Sequence, residues 1–214
     1  MVIAEFAFIA AILCVITLAV MLTLTLIKFR KDLSAPKGSS SKGILYAFTK
    51  GMMPGAKESA SEHMVSYIAG IVFHIGVFTA FLFSILVYLL INGYWEYLLM
   101  WFKFLPAIEI IIALGLISGV GLLIKRFTNK RLRAISIFDD YFSNILVNTF
   151  LLLSLVAAIY GTGPVFFMMY LFETLLFLYI PLGKLRHCAY FFATRIMFGH
   201  FYGYRGVLAK NKYE

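Results

Sequence analysis

The 214-residue chain is far more apolar than a soluble domain, with 62% hydrophobic residues, 14% charged residues and a mean hydropathy of +0.92. Soluble domains carry about 45–50% apolar and about 25% charged residues, so the composition excludes that class and predicts an integral membrane protein. Two cysteines, Cys14 and Cys188, are too few for an iron–sulfur cluster, which needs about four thiolates.

Five apolar segments are long enough to cross a bilayer. A helical crossing needs roughly 20 residues for a hydrocarbon core of about 30 Å. The segments cover residues 2–27, 65–91, 106–124, 142–160 and 164–182. We therefore expect an all-α fold, a five-transmembrane-helix bundle forming a single membrane domain over residues 1–214. In it, a linker occupies residues 28–62 and a C-terminal segment occupies residues 183–214.

The basic residues indicate the orientation of these segments. Of the 19 Lys and Arg residues, 18 lie in the linker, in "KRFTNKRLR" or in the C-terminal segment, and only Lys103 lies elsewhere. Five crossings place those three stretches on one face, which the positive-inside rule assigns to the cytoplasm. The N-terminus is then outside and the C-terminus cytoplasmic. Because this topology accounts for the net charge of +9, we expect membrane lipid and no nucleic acid as a partner.

Local patterns add detail to this topology. Trp95 and Trp101 lie in the outer loop "NGYWEYLLMWFKFLP", as in an interfacial aromatic belt. Gly115 and Gly119 form a small-xxx-small pair that allows close helix packing. The composition of "SAPKGSSSKG" predicts a flexible linker.

Histidine is rare in the chain, and two of its four histidines, His63 and His74, flank the start of the second segment. Eleven residues of α-helix return to within about 20° of the same direction and rise about 16 Å. Ala69, Gly70 and Gly76 lie close to these histidines, and small residues leave room for a flat macrocycle. The pattern favours axial ligation of haem b, since haem iron accepts imidazole ligands. The alternative is a solvated His63 and a hydrogen-bonded packing role for His74.

The other two histidines, His187 and His200, lie near the C-terminus. Thirteen residues of straight helix would leave them about 140° apart and about 19 Å apart along the axis. They cannot then face one haem stack unless the helix is kinked or broken, for which Pro181, Gly183 and Gly199 are candidates. His187 is the stronger candidate ligand of the two.

Charged residues near these histidines are further candidates. Haem propionates are anionic, and basic side chains bind carboxylates; the candidates are Lys184, Arg186, Arg195 and Arg205. The alternative for each is simply the positive-inside bias.

Carboxylates in apolar segments are the second group of candidates. Glu173 and Glu109 are candidate quinone and proton-exchange groups, because quinol oxidation releases protons that a buried carboxylate can accept. A Glu hydrogen-bonded across helices is the alternative. Asp139 and Asp140 fit the N-terminus of a helix and favour a structural role.

Three stretches in order resemble a known family: "MMPGAKESASEHMVSYIAGIVFHIG", "RLRAISIFDDYF" and "YIPLGKLRHCAYFFATR". They are similar to the membrane cytochrome b subunits related to the respiratory nitrate reductase gamma subunit. Within that family they are most similar to the versions that serve heterodisulfide-reductase-like and sulfite-reduction-linked complexes. The resemblance covers residues from about 50 to 205.

The resemblance implies two b-type haems, in the order His74 with His187 and His63 with His200. It also implies electron exchange with a quinone such as menaquinone as substrate, cytoplasmic iron–sulfur or flavin partner subunits, and a prokaryotic cytoplasmic membrane location. The His187–His200 spacing is shorter than in the nitrate reductase subunit, so a single-haem variant using His74 and His187 stays open. A non-redox membrane protein, such as a transporter subunit or assembly factor, is the alternative from another class.

Overall fold

The computed structural model describes residues 2–27, 34–53, 63–94 and 103–207, and its regular elements in these ranges are helices. The helices are α1 (Val2–Ile27), α2 (Ser40–Phe48), α3 (Met64–Ile91), α4 (Leu105–Thr128), α5 (Lys130–Ile135), α6 (Phe138–Tyr160), α7 (Gly163–Tyr179) and α8 (His187–Tyr204). Short 3₁₀ turns cover Lys50–Met52 and Lys184–Arg186. The predicted aromatic belt at Trp95 and Trp101 lies outside the described residues.

Four helices in the described ranges are long and apolar enough to span a membrane: α1, α3, α4 and α6. A fifth span results if α7 and the stretch Lys184–Tyr204 are counted together as one broken crossing. These observations confirm the all-helical, membrane-spanning class, with four or five crossings; the orientation of the termini stays a prediction. The fifth predicted segment ends early because α7 stops at Tyr179, just before Pro181, whose ring removes a backbone donor.

The helix ends follow the local sequence. Pro106 and Pro164 lie in the first turns of α4 and α7, where a missing N–H costs nothing. Asn129 caps α5 by accepting hydrogen bonds from the backbone N–H groups of the next turn. Gly161 ends α6 at φ 57°, a left-handed conformation that glycine adopts without strain.

The distribution of polar and apolar side chains also fits a membrane protein. Large apolar residues are exposed along the long helices, for example Phe78, Ile117 and Ile145. The interior, in contrast, includes polar residues: Ser84, Ser143, Asn148, Ser154 and Glu173. An apolar exterior around a partly polar interior is expected when lipid, not water, surrounds the bundle.

The described chain forms two compact units, of which the first comprises Met1–Val15 and Val65–Leu185. Its core is apolar and close-packed. A glycine crossing joins α3 and α4, because a Cβ added at Gly115 would lie only 2.7 Å from the Cα of Gly76. A Cβ at Gly119 would meet the Phe73 ring. Gly115 and Gly119 therefore mediate close helix packing, as the small-xxx-small pattern predicts.

The second unit comprises Ile16–Met64 and Arg186–Glu214. Here α2 packs closely on α8, since a Cβ at Gly203 would lie 2.7 Å from the Cα of Gly43. The Phe48 and Phe192 rings stack at 6.3 Å. Of the predicted linker stretch "SAPKGSSSKG", Ser40–Gly43 form the first turn of α2, and residues 34–39 lie outside regular structure. The small side chains of Gly43 and Ala47 allow α2 to pack against α8.

Candidate functional site

His74 lies on α3 in the first unit, and its ring orientation is fixed locally. Its Nδ1 lies 2.6 Å from the backbone oxygen of Gly70, one turn earlier. Because a carbonyl can only accept, Nδ1–H is the donor and Nε2 carries the lone pair. Ligating histidines commonly hold one ring N–H against a carbonyl in this way. The hydrogen bond fits both the predicted ligand role of His74 and the alternative of a hydrogen-bonded packing role.

The small residues around His74 divide into two kinds. No described atom lies within 4 Å of the position that a Cβ on Gly70 would occupy, so the space beside it is open. A Cβ on Gly76, by contrast, would lie 2.6 Å from the Cα of Gly115. The expectation that Gly76 leaves room for a macrocycle is therefore wrong, because α4 fills that space. Gly70 stays the position at which room for a macrocycle is predicted.

The other three candidate ligands lie in the second unit and are exposed. His63 directly precedes α3, and His187 is the first residue of α8. His200 lies on the same helix, where its ring stacks on Tyr204 at 6.1 Å.

A break precedes His187, as the sequence suggested, but Gly199 does not interrupt the helix. It packs against α2 instead, because a Cβ there would lie 2.5 Å from the Cα of Ile44. His187 and His200 therefore remain about 140° apart around one continuous helix.

Lys184 forms an ion pair with Asp140. Its Nζ lies 2.6 Å from Asp140 Oδ2, and its backbone N–H donates to Asp139 Oδ2 at 2.8 Å. Arg126 contacts Asp140 at 3.2 Å, and Asp140 also accepts from the Ile137 N–H at 3.0 Å. Asp140 thus caps the start of α6 from inside the helix, and both aspartates tie α6 to the segment after α7.

The remaining basic candidates lie at or on α8. Arg186 is exposed immediately before it. The Arg195 guanidinium lies 5.4 Å from the centre of the Phe191 ring, and that of Arg205 lies 3.5 Å from the Phe201 ring. Such cation–π contacts stabilise a guanidinium group.

Glu173 is buried in the first unit, with 3% of its surface exposed. The Ser84 hydroxyl donates to its two carboxylate oxygens at 2.7 and 2.9 Å, and the Tyr170 hydroxyl donates to the Ser84 backbone oxygen at 2.8 Å. Glu173 is therefore hydrogen-bonded across helices α7 and α3, the structural alternative given above.

The cluster around Glu173 borders a cavity of about 490 Å³ between α1, α3 and α7. Sequence reasoning missed Ser84 and Tyr170 as parts of this cluster. The signal for Ser84 was a hydroxyl within a long apolar run. Glu109 is half-buried on α4 and is not among the residues that line the cavity.

Within the described ranges, no three His, Cys, Asp or Glu side chains come together to hold a bare metal ion. Haem needs fewer protein ligands than a bare metal ion, because the macrocycle provides four nitrogens and the protein adds only axial ligands.

Comparison of the chain with protein-family models, with curated proteins and with solved structures gave no match in any of the three. The helices place the chain in the class of helical, multi-pass membrane proteins.

Proposed function

We propose that the chain is a haem-b-binding membrane anchor subunit of a respiratory redox complex. It exchanges electrons between the quinone pool and a cytoplasmic iron–sulfur or flavoprotein partner. The observation that carries the proposal is the Nδ1 hydrogen bond of His74 to Gly70, next to open space on the same helix. A haem ligand needs open space for the macrocycle beside it, whereas a histidine that only packs between helices does not.

The residues on α3 fit a haem in two respects. The Gly70 carbonyl holds the imidazole in the tautomer whose Nε2 can coordinate. The absent side chain at Gly70 leaves room for the macrocycle edge, whereas any larger residue would occupy it. When bound, haem b supplies a one-electron redox centre within the membrane that no amino-acid side chain provides.

The second ligand of this haem is His187, on the resemblance to the nitrate reductase gamma-like subunits. Its position at the start of α8 exposes the ring, and Arg186 adjoins it as a candidate propionate partner. Lys184 is the weakest candidate for that role, because Asp140 already compensates its charge. Arg195 and Arg205 contact aromatic rings, and Arg205 also donates to a backbone carbonyl; both stay candidate propionate partners.

A second haem requires His63 and His200. The continuous helix of α8 turns His200 about 140° from His187, so the two rings cannot face one stack from a straight helix. This observation favours the single-haem variant, with His74 and His187, as the second candidate function.

The proposed partner is supported by the resemblance and by charge. Electrons that leave a haem inside the membrane need an acceptor at the membrane surface, which a cytoplasmic iron–sulfur or flavoprotein subunit would supply. On the predicted orientation, the basic stretches "KRFTNKRLR" and the segment after α7 face the cytoplasm and offer a positively charged docking face. The prokaryotic cytoplasmic membrane is the location implied by the same resemblance.

The experiment is a reduced-minus-oxidised absorbance spectrum of the purified full-length chain, with haem quantified per chain. His74→Ala and His187→Ala should each lose at least one haem equivalent. Ile75→Ala, which truncates an exposed neighbour of His74 on α3, is the matched control and should retain the wild-type haem content. His63→Ala and His200→Ala distinguish two haems from one. Full haem in both His74→Ala and His187→Ala, or no haem in the wild type, would refute the proposal and favour a non-redox protein.

A further inference from the structure

The cavity between α1, α3 and α7 combines apolar walls with one buried carboxyl group. Its volume of about 490 Å³ lies within the range of about 300–1,000 Å³ that small-molecule sites occupy. Ala7 and Ala11 line it from α1, Ser84 and Tyr88 from α3, and Glu173 from α7. A carboxylate in such a place is costly unless it serves a ligand or is fully hydrogen-bonded.

The hydrogen bonds around Glu173 determine what a ligand here must offer. The Ser84 hydroxyl has one hydrogen, and that hydrogen is directed to the Glu173 carboxylate. The Tyr170 hydroxyl donates to the Ser84 backbone oxygen. A carboxylate has about four acceptor positions, so this single donor leaves most of its capacity unused. In its ionised form Glu173 can only accept, so a ligand that meets the carboxylate must then be a hydrogen-bond donor.

The walls determine the shape of the ligand. Phe8 and Tyr88 lie with ring centres 5.7 Å apart and planes within 10° of parallel. Phe81 and Phe177 lie 5.2 Å apart on the same cavity. Aromatic walls favour a flat ring beside them. The remaining lining is almost entirely apolar, which suits an attached hydrocarbon chain.

We infer that this cavity binds the ring of an isoprenoid quinol, with the Glu173 carboxylate accepting a hydrogen bond from one ring hydroxyl. That a quinone is the ligand rests on the proposed function. The binding site in this cavity and the preference for the reduced quinol are the new parts. The oxidised quinone has only acceptor oxygens, so the carboxylate selects the reduced form. Ser84, Tyr88 and Tyr170 carry the hydroxyls of the lining. Since those of Ser84 and Tyr170 already donate to Glu173 and to the Ser84 backbone oxygen, the Tyr88 hydroxyl is the one proposed to face the second ring oxygen.

The test is a binding measurement that needs no haem. Anaerobic calorimetric titration of the purified full-length chain uses a naphthoquinol with one isoprene unit, and then the corresponding naphthoquinone. Wild type should bind the quinol at least about tenfold more tightly than the quinone. This affinity ratio is the one expected from one charge-assisted hydrogen bond. In Glu173→Gln this ratio should fall roughly tenfold, because an amide can donate to a quinone as well as accept from a quinol. Glu5→Gln, the same change at an exposed carboxylate of α1 that does not line the cavity, should leave the ratio unchanged.

A steric variant tests the location independently of charge. Ala11→Phe places a ring into the cavity from α1 and should weaken quinol binding at least tenfold, whereas Ala19→Phe, the same change at an exposed position of α1, should not. Haem content is measured on every sample. Haem-containing Glu173→Gln and Ala11→Phe proteins that bind quinol like wild type would overturn the inference and leave the proposed function intact.

Two other results are equally decisive. A chain without haem whose quinol binding depends on Glu173 would support the cavity and refute the proposed function. Extraction of a phospholipid from wild type that Ala11→Phe excludes, with no quinol binding by either, would identify the occupant as a lipid acyl chain and overturn the inference.

Discussion

Gly70 and Gly76 lie six residues apart on α3, and the structure predicts opposite consequences of the same substitution at the two positions. In Gly76→Ala the new Cβ would lie 2.6 Å from the Cα of Gly115, well inside a normal contact of about 3.5–4.0 Å. Backbone on both sides must move, and such overpacking costs about 1–3 kcal/mol. In Gly70→Ala the Cβ enters open space, and the gain in helix propensity is up to about 1 kcal/mol.

The two variants should therefore differ by about 1–4 kcal/mol in the free energy of unfolding. The measurement is reversible unfolding in mixed detergent micelles, followed by far-ultraviolet circular dichroism, with Ile75→Ala as a control for side-chain truncation on α3. Haem content adds a second readout, because Gly70→Leu should lose haem while it keeps its helical signal. Equal stability of Gly70→Ala and Gly76→Ala would refute the close α3–α4 crossing.

Three further predictions concern hydrogen bonds and packing. Ser84→Ala removes the described donor to the Glu173 carboxylate and should lower the free energy of unfolding by about 1–3 kcal/mol; strictly additive effects in the double variant with Glu173→Gln would contradict the contact. Gly43→Ala would overlap the Gly199 carbonyl oxygen, so proteolysis in the segment 34–53 should accelerate severalfold, and an unchanged rate would contradict the α2–α8 packing. Asp140→Asn removes two ion pairs and should cost no more than about 1–2 kcal/mol, with a smaller salt dependence than wild type; identical salt dependence would argue against these pairs.

The fold class could be predicted from the sequence because lipid demands long apolar helices, and that demand is visible in composition and run length. The glycine pair at Gly115 and Gly119 was equally visible, since small residues four apart predict close packing. The partner glycine, Gly76, was assigned to the wrong role. Its sequence neighbourhood resembles that of Gly70, and only the position of α4 distinguishes a packed glycine from an open one.

The α2 helix and the Glu173 cluster could not be predicted for a different reason. The stretch around Ser39 has the composition of a linker, and its helix is stabilised by contact with a segment about 160 residues later in the chain. Ser84 and Glu173 are 89 residues apart, and their hydrogen bond depends on how α3 and α7 face each other. Sequence periodicity describes one helix at a time, so it predicted a buried carboxylate without its partner.

On the proposed function, quinol reduces a haem that His74 ligates. The most direct measurement is the absorbance of the oxidised, purified full-length protein after anaerobic addition of a short-chain naphthoquinol, with dithionite added afterwards to define full reduction. The account predicts that quinol alone produces the α-band of a reduced b-type haem in wild type and in Ile75→Ala, and that His74→Ala shows a reduced or absent band. The absence of any haem band after dithionite in wild type, or a full band in His74→Ala, would contradict it.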